Sequence, residues 1–342
     1  MEHAARAAST ADPSAAGIPV VLAIDVEPDG KPEGPHDPIR MDGFRATREW
    51  LEALRPRLEA ATGRPVAFAW FLRMDSQLET MGGSADALAR AVLPELQELR
   101  RRGDGIGLHT HAGRWNPESG RWLVDHGSAA WIEHCVRTAY RAFEDVLGEG
   151  CRQHRFGDRW VSSEALDLLA ELGTVVDLSE EPGKSRVKRV DTSADATGEI
   201  PSYRRLRSEP RPHRDPRLWL LPLTSADPGP ALTLPIRLAR RARFFGQPLH
   251  RPMTLNRAWR SPTAYWSVVE RAVTGQRTPY LALAIRSDFI LRPDMAGLRP
   301  VLDALPSRAF AARLRFTDAV GAIAMLRPAA AEPASALAGP WT

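Results

Sequence analysis

The stretch Asp104 to Trp115, D-G-I-G-L-H-T-H-A-G-R-W, decides how the chain is read. Ile106 and Leu108 form a short apolar run that predicts a strand over Gly105–Leu108. That strand delivers two imidazoles, His109 and His111, into a turn marked by Gly113. Neutral histidine is the commonest side-chain ligand for a transition metal, and two of them at i, i+2 converge on one ion where a strand frays into a loop. The pair alone is a weak signal, since a satisfied turn accounts for it equally well. Its weight comes from Val20 to Asp29, V-V-L-A-I-D-V-E-P-D, a continuously apolar run of the buried-strand type that ends in acids.

Outward from these two segments, strand-like and helix-like runs alternate. Ile18–Ile24 reads as a strand, Phe44–Ala61 as a helix and Val66–Leu72, with V-A-F-A-W-F-L at its core, as a second buried strand. Ser84 caps a predicted helix over Ala85–Arg102. Further helices are predicted at Ala129–Leu147 and from Ser162 or Ser163 to Leu172, the latter stopped by Gly173. Thr174–Leu178 and Leu218–Leu223 read as strands, Ser261–Val273 as a helix and Pro279–Ile285 as a strand. Met295–Ala304 as a helix, Arg313–Phe316 as a strand and Asp318–Leu326 as a helix complete the pattern. Such β-α alternation predicts parallel strands with crossover helices, in a barrel or a doubly wound sheet.

A chain of 342 residues with 43% apolar and 26% charged residues suits one large α/β domain or two ordinary ones. It contains no run of about 18 apolar residues, which argues against a membrane-spanning helix. The Ala/Ser-rich start, residues 1–17, lacks the order of a secretory signal. Cys135 and Cys151 are the only cysteines and read as buried free thiols, consistent with a cytoplasmic location. The net charge is +4, and the cations are almost all arginine, with lysine only at Lys31, Lys184 and Lys188. That skew gives no ground for nucleic-acid binding. Two Arg-rich stretches, Arg204–Arg217 and Arg237–Arg251, read either as solvated insertions or as contacts for phosphate, uronate or an anionic membrane surface. The second overlaps a predicted basic amphipathic helix at Thr233–Phe245. Residues 1–17 and 327–342 are expected to be disordered tails, flanking one domain at 18–326 with a basic insertion at about 183–260.

In parallel α/β folds functional side chains gather where strands end. Asp25 and Glu27 stand at one such end, and His109 and His111 at another. Arg155 follows a third in H-R-F-G-D-R-W (154–160), and Asp177 ends a fourth. One carboxylate and two imidazoles with a second carboxylate nearby are what a mononuclear metal hydrolase needs: ligands with open positions for water, and a base for the water's proton. The bland alternatives are a P-D-G turn after the first strand and a structural ion pair at Arg155.

The order of these segments resembles that of the polysaccharide deacetylases, carbohydrate esterase family 4, over residues 18–320. A-I-D-V-E (23–27) is similar to the family's first motif, and A-W-F-L-R-M-D (69–75) resembles its second strand. I-G-L-H-T-H (106–111) is similar to the histidine motif, R-F-G-D-R-W-V-S (155–162) to the arginine motif and L-G-T-V-V-D-L-S (172–179) to the fourth. The resemblance implies an irregular (β/α) barrel of about seven parallel strands. It also implies removal of an N-acetyl group from an amino sugar or glycan precursor with a divalent metal, Zn2+ first and Co2+ as another option. Carried over, Asp25 matches the general base, Glu27 and His109 the metal ligands, Arg155 the arginine that orients the base and Asp177 a supporting acid.

Three departures qualify the match. Gly113 stands where the family usually has its second histidine, leaving His111 as the substitute in an H-x-H pattern. Glutamate replaces aspartate as the metal acid. The last strand, A-I-R-S-D (284–288), offers Arg286 and Asp288 where the family has a histidine acid, so Asp288 is the candidate proton donor. Asp75, Trp115 and Trp160 are candidates for lining the substrate site, the tryptophans by stacking on sugar. The changed last strand also suits a non-sugar amide, such as a cyclic imide or ureide, or a binding protein that has lost catalysis. The sequence carries no signal of oligomeric state.

Overall fold

The computed structural model describes residues 17–30, 32–158, 160–182, 209–226, 253–255, 262–275 and 278–327. The predicted basic helix, the Arg237–Arg251 stretch, most of the 183–260 insertion and the predicted tails, save Gly17 and Arg327, lie outside these residues.

The first strand, β1 (Ile18–Val26), is buried along its whole length. Its side chains alternate between two hydrophobic layers, as the pleat requires. Val20, Leu22, Ile24 and Val26 join the larger layer, under the helices. Val21 and Ala23 join a smaller inner one with Ala69, Phe71, Val176, Leu178, Leu221, Leu223, Ala282 and Ala284. The inner layer is the barrel interior. Its alanines suit a narrow lumen.

The sheet builds from β1 with β2 (Ala69–Leu72), β3 (Gly105–Thr110), β6 (Gln153–Phe156), β7 (Val176–Asp177) and β9 (Trp219–Leu220) on one side and β12 (Leu281–Arg286) on the other. All these neighbours pair in parallel. The chain continuing from β9 brings Thr224 against β12, where its N–H donates to the Ala282 carbonyl at 2.8 Å. Seven parallel strands thus curl into an irregular barrel, in agreement with the sequence reading. Near the base of β1, β13 (Leu314–Phe316) adds a further parallel strand, and antiparallel β8 (Arg211–Pro212) flanks β9. A short antiparallel pair joins β10 (Ser225–Ala226) to β11 (Met253–Thr254). The helix Ala319–Leu326 sends Ala319, Ala322 and Ile323 into the inner layer and plugs one end of the barrel.

The helix Ala129–Leu147 has the predicted bounds, capped by Ser128, whose hydroxyl accepts from the Trp131 N–H. The first helix runs Asp42–Thr62 and is capped from a distance: both oxygens of Asp29 accept, from the N–H groups of Asp42 (2.7 Å) and Gly43 (3.0 Å). The predicted helix Ala85–Arg102 divides at Val92 into Ala87–Ala91 and Leu93–Arg101. Pro94 lacks an N–H and its ring crowds the preceding turn, so the second piece starts anew with proline in its first turn. The sequence reading does not contain the helix Ser76–Gly82, the β10–β11 pair, or the hairpin of β4 (Gly113–Asn116) with β5 (Arg121–Val124), which turns through P-E-S-G. Among the described residues no helix is long and apolar enough to cross a membrane.

Candidate metal centre

Four strand tips meet at the open end of the barrel. On β1, Asp25 takes the inward position and Glu27 follows it. On β3, Gly107 and His109 face inward between outward Ile106 and Leu108. On β6, Arg155 faces inward, and on β12 Arg286 stands beside Asp25 in register. Asp25, Glu27, His109 and Arg155 are all buried.

The tautomer of His109 follows from its partner. The Nδ1 of His109 lies 3.0 Å from the Arg155 carbonyl, which can only accept, so Nδ1 carries the hydrogen and Nε2 presents a lone pair. The Nδ1 of His111 lies 3.2 Å from Oδ2 of Asp158, close enough for charge attraction but outside hydrogen-bond geometry. The two Nε2 atoms face each other at 3.0 Å. Either a hydrogen on the His111 Nε2 or a cation between the two nitrogens accounts for so short an approach. Two nitrogens bound at 2.0–2.1 Å to one tetrahedral zinc stand about 3.3 Å apart. Glu27 completes the set, with Oε1 at 3.5 Å from Nε2 of His109 and Oε2 at 3.9 Å from Nε2 of His111. The three donor atoms all lie within 4.8 Å of one another. Two imidazoles and one carboxylate fit a divalent ion of the zinc type.

The surroundings are strongly charged. Nε of Arg155 bridges both oxygens of Asp25 at 3.0 and 3.1 Å, Nη1 donates to the Leu178 carbonyl and Nη2 meets Glu181 at 3.1 Å. Arg286 places Nη1 3.2 Å from Glu27 Oε2 while Nε and Nη2 grip Asp288. Arg73, buried, grips Asp75 and stands 3.9 Å from Glu27. Six carboxylates (Asp25, Glu27, Asp75, Asp158, Glu181, Asp288) therefore face three guanidiniums, a surplus of negative charge that favours a bound cation. Burial pushes the Glu27 carboxyl up, but His109, His111 and Arg286 outweigh it and hold the group well below the usual carboxylate range. Burial likewise pushes Asp158 up, and His111, His126 and Arg73 more than reverse it. His111 is lowered by burial and by Arg73, yet Asp158 and Glu27 raise it overall.

The backbone around His111 is fitted to it. Its N–H donates to Asp75 Oδ2 at 3.0 Å. A Cβ on Gly157 would come within 2.2 Å of its Nε2, so only glycine leaves room for the ring.

Of the residues singled out in the sequence, the structure brings Asp25, Glu27, His109, His111 and Arg155 together. Four others sit differently. Asp75 is fully buried under Arg73 and the His111 backbone, so it holds the His111 segment in place and cannot line a substrate. Asp177 alternates with inward Val176 and Leu178 and faces the helices, where it accepts from Ser179 and pairs with His154. Asp288 has both oxygens occupied by Arg286, which removes it as an accessible proton donor. Trp160 is buried, stacked on His126 at 4.9 Å and edge-on to Phe156, leaving no face for a sugar. Trp115 is half-buried on the hairpin against Trp122. Sequence reading missed Arg73, Asp158 and Glu181 as parts of the centre. Asp158 and Arg73 stand within motifs already quoted, but nothing in a linear pattern tells which way they turn.

No family profile and no curated protein matches the chain. Solved structures do. The chain is similar in fold to polysaccharide deacetylases. A protein from Mycobacterium smegmatis described as a polysaccharide deacetylase is 14% identical, with 91% of each chain covered and a TM-score of 0.42. The peptidoglycan deacetylase PdaC from Bacillus subtilis is 8% identical over 92% of this chain and 93% of its own, with a TM-score of 0.39. A mutant of a CE4 family pseudoenzyme with restored activity is 11% identical over 90% of this chain and 68% of its own, with a TM-score of 0.41.

Proposed function

We propose that the chain is a metal-dependent hydrolase of a C–N amide bond that removes the acetyl group from an N-acetylated amino sugar or glycan precursor. The observation that carries this reading is the meeting of the His109 and His111 Nε2 atoms with the Glu27 carboxylate beside a second, arginine-held carboxylate, Asp25. Glu27, His109 and His111 would hold one divalent ion, zinc by preference for this donor set. Bound there, such an ion polarises an acyl carbonyl and makes water acidic at neutral pH.

The remaining work belongs to side chains. Arg155 fixes the Asp25 carboxylate on both oxygens and is itself fixed by Leu178 and Glu181, so Asp25 is oriented before substrate arrives. Asp25 takes the proton of the attacking water. With Asp288 held by Arg286, Asp25 is also the group that returns that proton to the leaving nitrogen. Arg286, a third exposed, offers a guanidinium at the mouth of the barrel.

That same Arg286–Asp288 pair favours a second reading, hydrolysis of a non-sugar amide on this scaffold or binding without turnover, because β12 presents no imidazole. A cytoplasmic location and contact of the Arg237–Arg251 stretch with an anionic membrane remain proposals on sequence grounds alone.

Metal analysis of the purified protein, paired with acetate release from a panel of free, nucleotide-linked and lipid-linked N-acetyl sugars, tests the proposal. About one zinc-type ion per chain is expected in the wild type and none in His109→Ala. A metal-free wild type overturns the proposal. A metal-loaded protein that releases acetate from no sugar, but ammonia or a carboxylate from imides or ureides, selects the second reading.

A further inference from the structure

Asp158 is the one non-glycine residue with a left-handed backbone among those described, with φ at 53°. An L side chain there carries a steric penalty that glycine avoids, and such strain persists where the side chain is needed. The next question is what the side chain does. Its Oδ2 lies 3.2 Å from Nδ1 of His111 and 3.9 Å from Nε2 of His126. His126 is in turn stacked flat on Trp160, with an interplanar angle of 11°. The neighbouring Gly157 clears the space that the His111 ring occupies. The turn Gly157–Asp158 after β6 thus forms a cradle: glycine admits the ring, and the aspartate sets a buried carboxylate against its Nδ1 side.

We propose that Asp158 is the positioning residue that makes His111 a metal ligand, its carboxylate drawing the Nδ1 side of the ring towards itself so that Nε2 points at Glu27 and His109. A histidine two residues after His109 leaves a strand in transition to loop, and its ring needs an outside anchor to aim at the same ion. Asp158 supplies that anchor from a different strand end. The role rests on the metal-site reading above. Carboxylates that orient a ligating imidazole through its second nitrogen typically change metal affinity 10–100-fold when removed.

The backbone strain makes the test decisive. Zinc is titrated into chelator-treated protein against a chromophoric competitor, and the melting temperature of each metal-free variant is recorded. Asp158→Gly is expected to bind zinc about 10–100-fold more weakly while its metal-free melting temperature stays the same or rises. Asp158→Asn, which tolerates the same backbone and keeps an oxygen beside Nδ1, is expected to recover part of the affinity. Equal affinity in Asp158→Gly and the wild type overturns the proposal, as does a fall in metal-free melting temperature alongside the lost affinity, since that marks a structural residue. These outcomes are read against a wild type that binds zinc through His109, so they leave the metal-site reading standing. A wild type that binds none overturns both.

Discussion

Strand β6 sends two adjacent residues, His154 and Arg155, to opposite sides of one sheet, and each side holds a buried group of histidines and carboxylates. On the outer side His154 donates or accepts at both nitrogens, to Asp177 Oδ2 and Thr110 Oγ1, each at 3.0 Å. Asp177 is matched as well, by the N–H and hydroxyl of Ser179. On the inner side the count does not close: Asp158 Oδ2 is buried without a hydrogen-bond partner and carboxylates outnumber guanidiniums. The two groups use the same residue types at the same depth. What separates a structural cluster from a binding centre is whether the donors and acceptors satisfy one another.

The comparison breaks most sharply at Asp25. Asp25→Asn is expected to keep its metal and lose about 10²–10⁴-fold in turnover, the usual worth of a positioned base. Turnover and metal content measured on one preparation check this, and an active variant would remove Asp25 from the chemistry. At the border of the inner group, His126 is kept neutral because burial pushes its imidazole down to about 4. The unfolded chain takes up that proton near pH 6.5. Stability from this residue is therefore complete above about 6.5 and falls by about 3 kcal/mol as pH drops to 4. Urea denaturation at pH 7, 5.5 and 4 should show that slope reduced in His126→Gln. For the outer group, Asp177→Ala strands the His154 and Ser179 donors and is expected to cost about 1–3 kcal/mol of stability. Its metal content should be unchanged, as metal analysis can check. Loss of metal in that variant would merge the two groups into one.

The alternation of strands and helices, and the gathering of Asp25, Glu27, His109, His111 and Arg155, were legible because buried strands are long apolar runs whose ends carry the polar residues. What failed was orientation. β7 is only two residues long, too short to reveal its period, so the sequence does not tell that Asp177, read as ending a strand, faces away from the barrel interior. Asp75 looked like a site residue at a strand end because the short helix it caps gives little periodic signal. Trp160 and Asp158 lie in a turn, where no repeat exists to read. Asp288 shows the same limit at a pair level: its capture by Arg286 depends on side-chain direction two residues apart.

The position of β1 has a consequence for how the molecule is made. Its neighbours β12 and β13 lie about 260 residues or more downstream in the chain. Until β12 pairs, a strand that is apolar from Ile18 to Ile24 has a flank of unpaired amides, a surface to which other chains can add. Closing so distant a contact is entropically slow. Shielding Ile18–Val26 until β12 pairs is therefore expected to limit aggregation during folding.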